Sequence, residues 1–179
     1  MQELLVHNKI FVPYLSQEEI EDAVKKLADK INIDYANECP LFIAILNGSF
    51  MFAAELFKSI NIPSEICFIK LASYKGTTSS GHVITPIGLD TEIKNKHVII
   101  LEDILDTGKT LSQFLPQIKN QNPRSLKIAA LLHKPEATIH QVELDYNCFK
   151  IPNKFVIGFG LDYNGLGRNI PAVYQLKEN

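Results

Sequence analysis

No stretch of this 179-residue chain is apolar over the ~20 residues that a membrane span needs. Its opening, MQELLVHNKIFVPYL, lacks the basic start and continuous apolar run of a signal peptide. Cysteine is scarce: Cys39, Cys67 and Cys148 are odd in number, far apart and without a CxxC pair. That argues against a disulfide scaffold or a cysteine-based zinc site and favours a reducing compartment. His82, His97, His133 and His140 show no metal-ligand spacing. An excess of either charge is missing too, since 18 Lys and Arg against 20 Asp and Glu leave a net −2. Such a balance removes the long-range attraction to a phosphate backbone, although a local basic pocket remains compatible with it. No low-complexity linker divides the chain. The expectation is a single domain, 1–179, located in the cytoplasm, with neither nucleic acid nor membrane as partner.

What is present is an alternation of helical and strand patterns. Ser16 and Glu19 have the spacing of a capping box, and Ile20, Val24, Leu27, Ala28 and Ile31 then repeat on one face, which predicts a helix over 16–35. Short apolar runs at 41–46, 66–71, 97–101, 126–132 and 155–160 read as buried strands, and 50–60 and 110–120 as helices. Apolar strands flanked by helices of this length predict an α/β fold: a mostly parallel twisted sheet covered on both faces. In such sheets the ligand lies beyond the carboxyl ends of the strands. The segment 73–88 breaks the alternation. It is polar and flexible in composition, with a short strand at 83–85, and reads either as a surface hairpin or as a lid over substrate.

The most informative string is Glu102-Asp103-Ile104-Leu105-Asp106-Thr107-Gly108-Lys109-Thr110, between an apolar strand and a helix. Free amides at a helix start form an anion site, Gly108 lets the main chain approach closely, and Thr107 and Thr110 add hydroxyl donors. Gly-Lys-Thr is shared with nucleoside-triphosphate loops, but those require a glycine where this chain has Asp103. Two adjacent carboxylates beside a phosphate need something else to face, and ribose hydroxyls or a Mg2+ bridging to a second phosphate would serve. The string therefore reads as a sugar-phosphate cradle. The plainer reading is a solvated helix start capped by Asp106 or Thr107.

This acidic string resembles the phosphoribosyl-diphosphate (PRPP) motif of the type I phosphoribosyltransferases. The likeness extends through Leu46-Asn47-Gly48-Ser49-Phe50, Ser73-Tyr74, Lys134 and the segment from Ile151 through Phe155-Val156 and Asp162-Tyr163-Asn164 to Arg168. The later block is similar to the branch of that family acting on hypoxanthine and guanine. The resemblance implies transfer of ribose 5-phosphate from PRPP to N9 of a 6-oxopurine, with Mg2+ as cofactor and a homo-oligomeric assembly, dimer or tetramer. It implies a small hood formed largely by 134–179 and a lid carrying Ser73 and Tyr74.

Residue by residue, the resemblance gives Asp106 the purine proton and makes the turn Asp106, Thr107, Gly108, Lys109 and Thr110 the 5′-phosphate cradle. Glu102 and Asp103 would take the ribose diol and metal, and Leu46, Asn47 and Gly48 the pyrophosphate, across a cis Leu46–Asn47 bond. Relatives often carry Lys where this chain has Asn47, so Arg168 is the candidate replacement charge. Asp162 would reach a second Mg2+ and offer a carbonyl to the base. Lys134 follows a strand end, and its ammonium donates without accepting, so it suits a 6-oxo group and rejects a 6-amino group. Phe155 would stack on the purine, and the Val156 backbone would meet its polar edge. A dry setting beside Glu102 and Asp103 is expected to make Asp106 a usable base. The competing readings are a xanthine-preferring transferase and a nucleotide-sensing regulator built on the same fold.

Overall fold

The computed structural model describes residues 2–74 and 83–178. A capping box starts α1 (Gln17–Asp34): the Glu19 amide donates to Ser16 Oγ and the Ser16 amide to the Glu19 carboxylate. The expected face, Ile20, Val24, Leu27, Ala28 and Ile31, is the buried one.

The main sheet holds six strands: β3 (Leu41–Leu46), β4 (Glu65–Tyr74), β5 (Val83–Ile87), β6 (His97–Leu105), β7 (Ser125–His133) and β8 (Tyr146–Lys150). Their order is β5-β4-β3-β6-β7-β8, parallel throughout except for β5, which runs antiparallel to β4. Successive residues of β3 and β6 face opposite layers. Phe42, Ala44, Ile99 and Leu101 pack with α1 and α2 (Phe50–Phe57), whereas Leu41, Ile43, Ile45, Val98 and Ile100 pack with α3 (Lys109–Lys119). Both faces are therefore apolar, which accounts for the unbroken hydrophobic runs. The expected mostly parallel sheet flanked by helices is the observed one.

The strand order reverses between β3 and β6. From β3 the chain steps outward to β4 and β5, then returns to β6 and builds in the other direction. The carboxyl ends of these two neighbours, Leu46 and Leu105, thus bracket a topological switch point, where open α/β sheets form their ligand crevice.

Three expectations need correction. The run 155–160 is not a buried strand of the main sheet: only Val156–Ile157 is extended (β9), it pairs antiparallel with β10 (Val173–Leu176), and Phe155 is exposed. Gly158 and Gly160 both have positive φ, 97° and 98°, which turn the chain out of a strand. Second, β9 and β10 share a four-stranded sheet with β1 (Leu4–Val6) and β2 (Lys9–Leu15) in the order β1-β2-β10-β9, so the amino-terminal segment joins the later block in one small sheet. Third, β6 continues through Leu105, so Glu102 and Asp103 are strand residues rather than loop residues. Of the expected lid, Ser73 and Tyr74 close β4 and 83–85 falls in β5, while 75–82 lie outside the described residues.

Candidate active site

The end of β6 and the start of α3 enclose a small concavity of about 70 Å³ lined by Glu102, Ile104, Leu105, Asp106, Thr107, Gly108, Lys109, Thr110 and Leu111. Gly108 is the N-cap of α3 in the left-handed region, φ 76°, and has no side chain with which to cap it. Thr107 Oγ1 accepts from the Lys109 amide, at 3.3 Å. Asp106 does not cap the helix; its carboxylate meets Lys134 instead. The helix start thus presents amides to a concavity of phosphate size. A larger hollow of about 520 Å³ lies between α1 and β8, but its lining contains no phosphate-binding turn.

The loop after β3 comes to the same place. The Leu46–Asn47 peptide is cis, as the resemblance implied, and Asn47 is exposed. The buried Ser49 hydroxyl turns back to donate to the Ile45 carbonyl at 2.6 Å, so no side chain caps α2. Gly48 abuts Asp103 so closely that a Cβ would run into the Asp103 carboxylate, and a Cβ on Gly160 would meet the Gly48 carbonyl. Three segments distant in sequence are therefore in backbone-range contact.

Glu102 and Asp103 are the half-buried acids here. Burial raises Glu102 well above the carboxylate range, and the neighbouring Asp103 charge raises it further. Glu102 Oε2 is buried with no hydrogen-bond partner among the described residues. Burial likewise pushes Asp103 up to about 6, against the Ile104 amide, which donates to its Oδ1 at 2.9 Å, and the Arg168 charge. Arg168 is not held free for substrate: Nη1 donates to the Gly160 carbonyl and Nη2 pairs with Asp162 Oδ1, each at 2.6 Å. Asp162 Oδ2 also accepts from the Gly165 amide at 2.7 Å. One guanidinium hydrogen is thereby used in a hydrogen bond, and the ion pair with Asp162 orients the fork.

The expected setting of Asp106 is corrected. Its side chain is 46% exposed, whereas the Lys134 ammonium, 3.1 Å from Asp106 Oδ2, belongs to a side chain only 8% exposed. Lys134 is buried and carries its charge against this one carboxylate, while its amide donates to the Leu105 carbonyl at 2.9 Å. Phe155 forms an open aromatic platform, packing on Tyr163 (5.8 Å between centroids) and Phe11 (6.2 Å). Val156 is buried with its strand facing β10. Tyr163 is part of that cluster, and its hydroxyl donates to Asn8 of the amino-terminal hairpin. Sequence reading missed Thr138, which bonds the Asp106 carbonyl; nothing local in its surroundings marks it.

Among the described residues no three His, Cys, Asp or Glu converge to hold a metal alone. Hard oxygen donors are nevertheless present in Glu102 and Asp103, and the unpartnered Glu102 oxygen suits a cation shared with substrate oxygens, the usual manner of Mg2+.

Residues 14–164 match the model of the phosphoribosyl transferase domain. The chain is 43% identical over 175 residues to the hypoxanthine-guanine phosphoribosyltransferase of Streptococcus pneumoniae, covering 97% of each. It is 45% identical over 165 residues to that of Streptococcus mutans, covering 92% of each. Among solved structures, a hypoxanthine phosphoribosyltransferase from Staphylococcus aureus superposes with a TM-score of 0.86 at 38% identity, covering 92% of this chain and 90% of that one.

Proposed function

The chain belongs to the phosphoribosyl transferase family, and on that premise we propose that it transfers ribose 5-phosphate from PRPP to N9 of hypoxanthine or guanine, giving IMP or GMP and releasing pyrophosphate. The observation that carries this reading is the meeting, at one switch point, of an uncapped helix start, a half-buried acid pair and a buried lysine on Asp106.

Each group then has a task. The turn Asp106, Thr107, Gly108, Lys109 and Thr110 holds the 5′-phosphate through amides and hydroxyls, which fixes the ribose while its other end reacts. Glu102 and Asp103 bind the ribose diol. The loop Leu46, Asn47 and Gly48 binds pyrophosphate with main-chain donors, and Arg168 adds its remaining hydrogens from a fork already oriented by Asp162. The C1′–O bond breaks with its electron pair leaving on pyrophosphate, C1′–N9 forms, and the purine proton at N7 passes to Asp106.

Lys134 turns from Asp106 to the 6-oxo group as the base arrives, which favours hypoxanthine and guanine over adenine. Phe155 stacks on the ring, with the Val156 backbone and the Asp162 carbonyl at its edge. Glu102 and Asp103 would hold Mg2+ together with substrate oxygens, and Asp162 a second ion; bound there, the metal would supply positive charge to the leaving group. Ser73 and Tyr74 carry the lid that excludes water from the ribose cation. The same reading makes the protein a cytoplasmic homo-oligomer, dimer or tetramer, and the exposed Phe50, Phe68 and Ile87 give such an assembly apolar surface to cover.

Pyrophosphate release is the test, measured with PRPP, Mg2+ and hypoxanthine, guanine, xanthine or adenine in turn. Turnover with hypoxanthine and guanine is expected. Preference for xanthine would reassign the base, and silence with all four would favour a nucleotide sensor.

A further inference from the structure

The segment following β7 is laced to the phosphate turn by more than the Lys134 side chain. The Lys134 amide donates to the Leu105 carbonyl (2.9 Å), and the Ile139 and His140 amides both donate to the Thr107 carbonyl (3.1 and 3.0 Å). Gly108 completes the seam, since a Cβ there would stand 2.7 Å from the His140 carbonyl. At the centre of this seam is one hydroxyl. Thr138 Oγ1 lies 2.8 Å from the Asp106 carbonyl and 2.9 Å from the Lys134 carbonyl, within donating reach of both. These are the main-chain groups of the two residues whose side chains meet at 3.1 Å. On its other side Oγ1 faces His133 Nε2 at 3.3 Å, so an Nε2–H on that ring can hold the hydroxyl with its own proton turned towards the carbonyls.

We infer that Thr138 is a positioning residue: by sharing its hydroxyl proton between the carbonyls of Asp106 and Lys134, it sets the separation between the acid that takes the purine proton and the lysine that reads the 6-oxo group. The roles of those two residues rest on the reading proposed above; the tie between their backbones does not. Thr138 touches no reacting atom. It acts because a side chain can be no better placed than the main chain from which it extends, and a misplacement of ~1 Å at a reacting group costs on the order of 10²-fold in rate.

The test compares T138V, which keeps the shape and removes the hydroxyl, with T138S, which keeps the hydroxyl and removes the methyl. In T138V, kcat with hypoxanthine is expected to fall by roughly ten- to a hundredfold while KM for PRPP changes by less, because the Ile139 and His140 amides still hold the Thr107 carbonyl and the amides beyond it. T138S is expected to restore most of kcat. Wild-type kcat in T138V, or equal losses in the two variants, would overturn the inference. Should T138V fail to fold, T138A against T138S makes the same comparison at reduced bulk, with equal activities counting against it. A crystal structure of T138V, or of T138A in that case, supplies a readout independent of activity. Lys134 Nζ is expected to move away from Asp106 Oδ2, and an unchanged 3.1 Å separation sinks the inference even if the chain turns over no purine. Absent turnover in the wild type, together with a widened gap between Lys134 and Asp106 in the variant, would overturn the proposed function and leave the tie standing.

Discussion

Lys134 Nζ lies 3.1 Å from Asp106 Oδ2, the ammonium side nearly sealed and the carboxylate side half open. A lysine this buried is rarely found without a partner, and here the partner is the residue assigned to the purine proton. The two groups hold each other in place before a base arrives. In the proposed reaction a 6-oxo group takes over Lys134 and frees the Asp106 carboxylate for the purine proton. On that proposal one ion pair would link base selection to proton handling, and each half can be tested alone.

Asp106→Asn keeps an oxygen acceptor for Lys134 and removes the proton acceptor. PRPP binding by calorimetry is expected to change little, while turnover falls on the order of 10²- to 10⁴-fold. Full turnover in this variant would remove Asp106 from the chemistry.

Lys134→Met deletes the donor and leaves Asp106 without its partner. A hydrogen bond to a charged group is worth ~1.5–3 kcal/mol, so kcat/KM for hypoxanthine should drop about ten- to a hundredfold. The ratio of hypoxanthine to adenine use should fall with it. Steady-state kinetics on both bases decide, and an unchanged ratio would show that Lys134 does not read position 6.

The desolvated acid pair makes a prediction about pH. Asp103 is pushed up to about 6 from 3.8, chiefly by burial, and Glu102 is raised for the same first cause. Between these values the native chain retains a proton that the unfolded chain has lost, so raising the pH through that window costs native stability. Asp103→Asn should therefore be more stable than wild type at pH 7–8, by on the order of 3 kcal/mol for a shift of about two units. That advantage should vanish below pH 4, where both states of the wild-type group are protonated. Denaturant titrations across pH 4–8 measure it. On the proposal that this pair holds Mg2+ with PRPP, binding needs the ionised acids, so affinity should weaken below pH 6 with proton release on binding.

Gly48→Ala places a methyl where the Asp103 carboxylate stands. That carboxylate must swing away from the crevice or the β3 loop must lift. KM for PRPP is expected to rise by roughly tenfold or more, at a stability cost of about 1–3 kcal/mol. A structure with Asp103 undisturbed and kinetics like wild type would refute the close approach as a functional feature.

Much of the scaffold was legible because its signals are local. The 16–35 pattern became α1 with its capping box in place, 41–46 became β3 and 110–120 corresponds to α3. The run at 155–160 was misread because apolar residues alone do not distinguish a strand from a glycine-bent turn. β8, YNCFK, escaped notice because an edge strand mixes polar and apolar residues, and β1 and β2 because their partners lie at the far end of the chain.

The residue types needed for the chemistry were written into short stretches: amides and hydroxyls at a helix start, paired acids at a strand end, an ammonium after another strand. Periodicity and turn chemistry act over a few residues, so a linear reading recovers them. Burial and pairing arise only when crossovers bring β3, β6 and β7 side by side. That packing moved the dry environment from Asp106 to Glu102 and Asp103, matched Lys134 with a carboxylate 28 positions away and set Gly48 against Asp103. Desolvation and Coulomb interactions depend on distance through space, and the order of residues along the chain does not contain those distances.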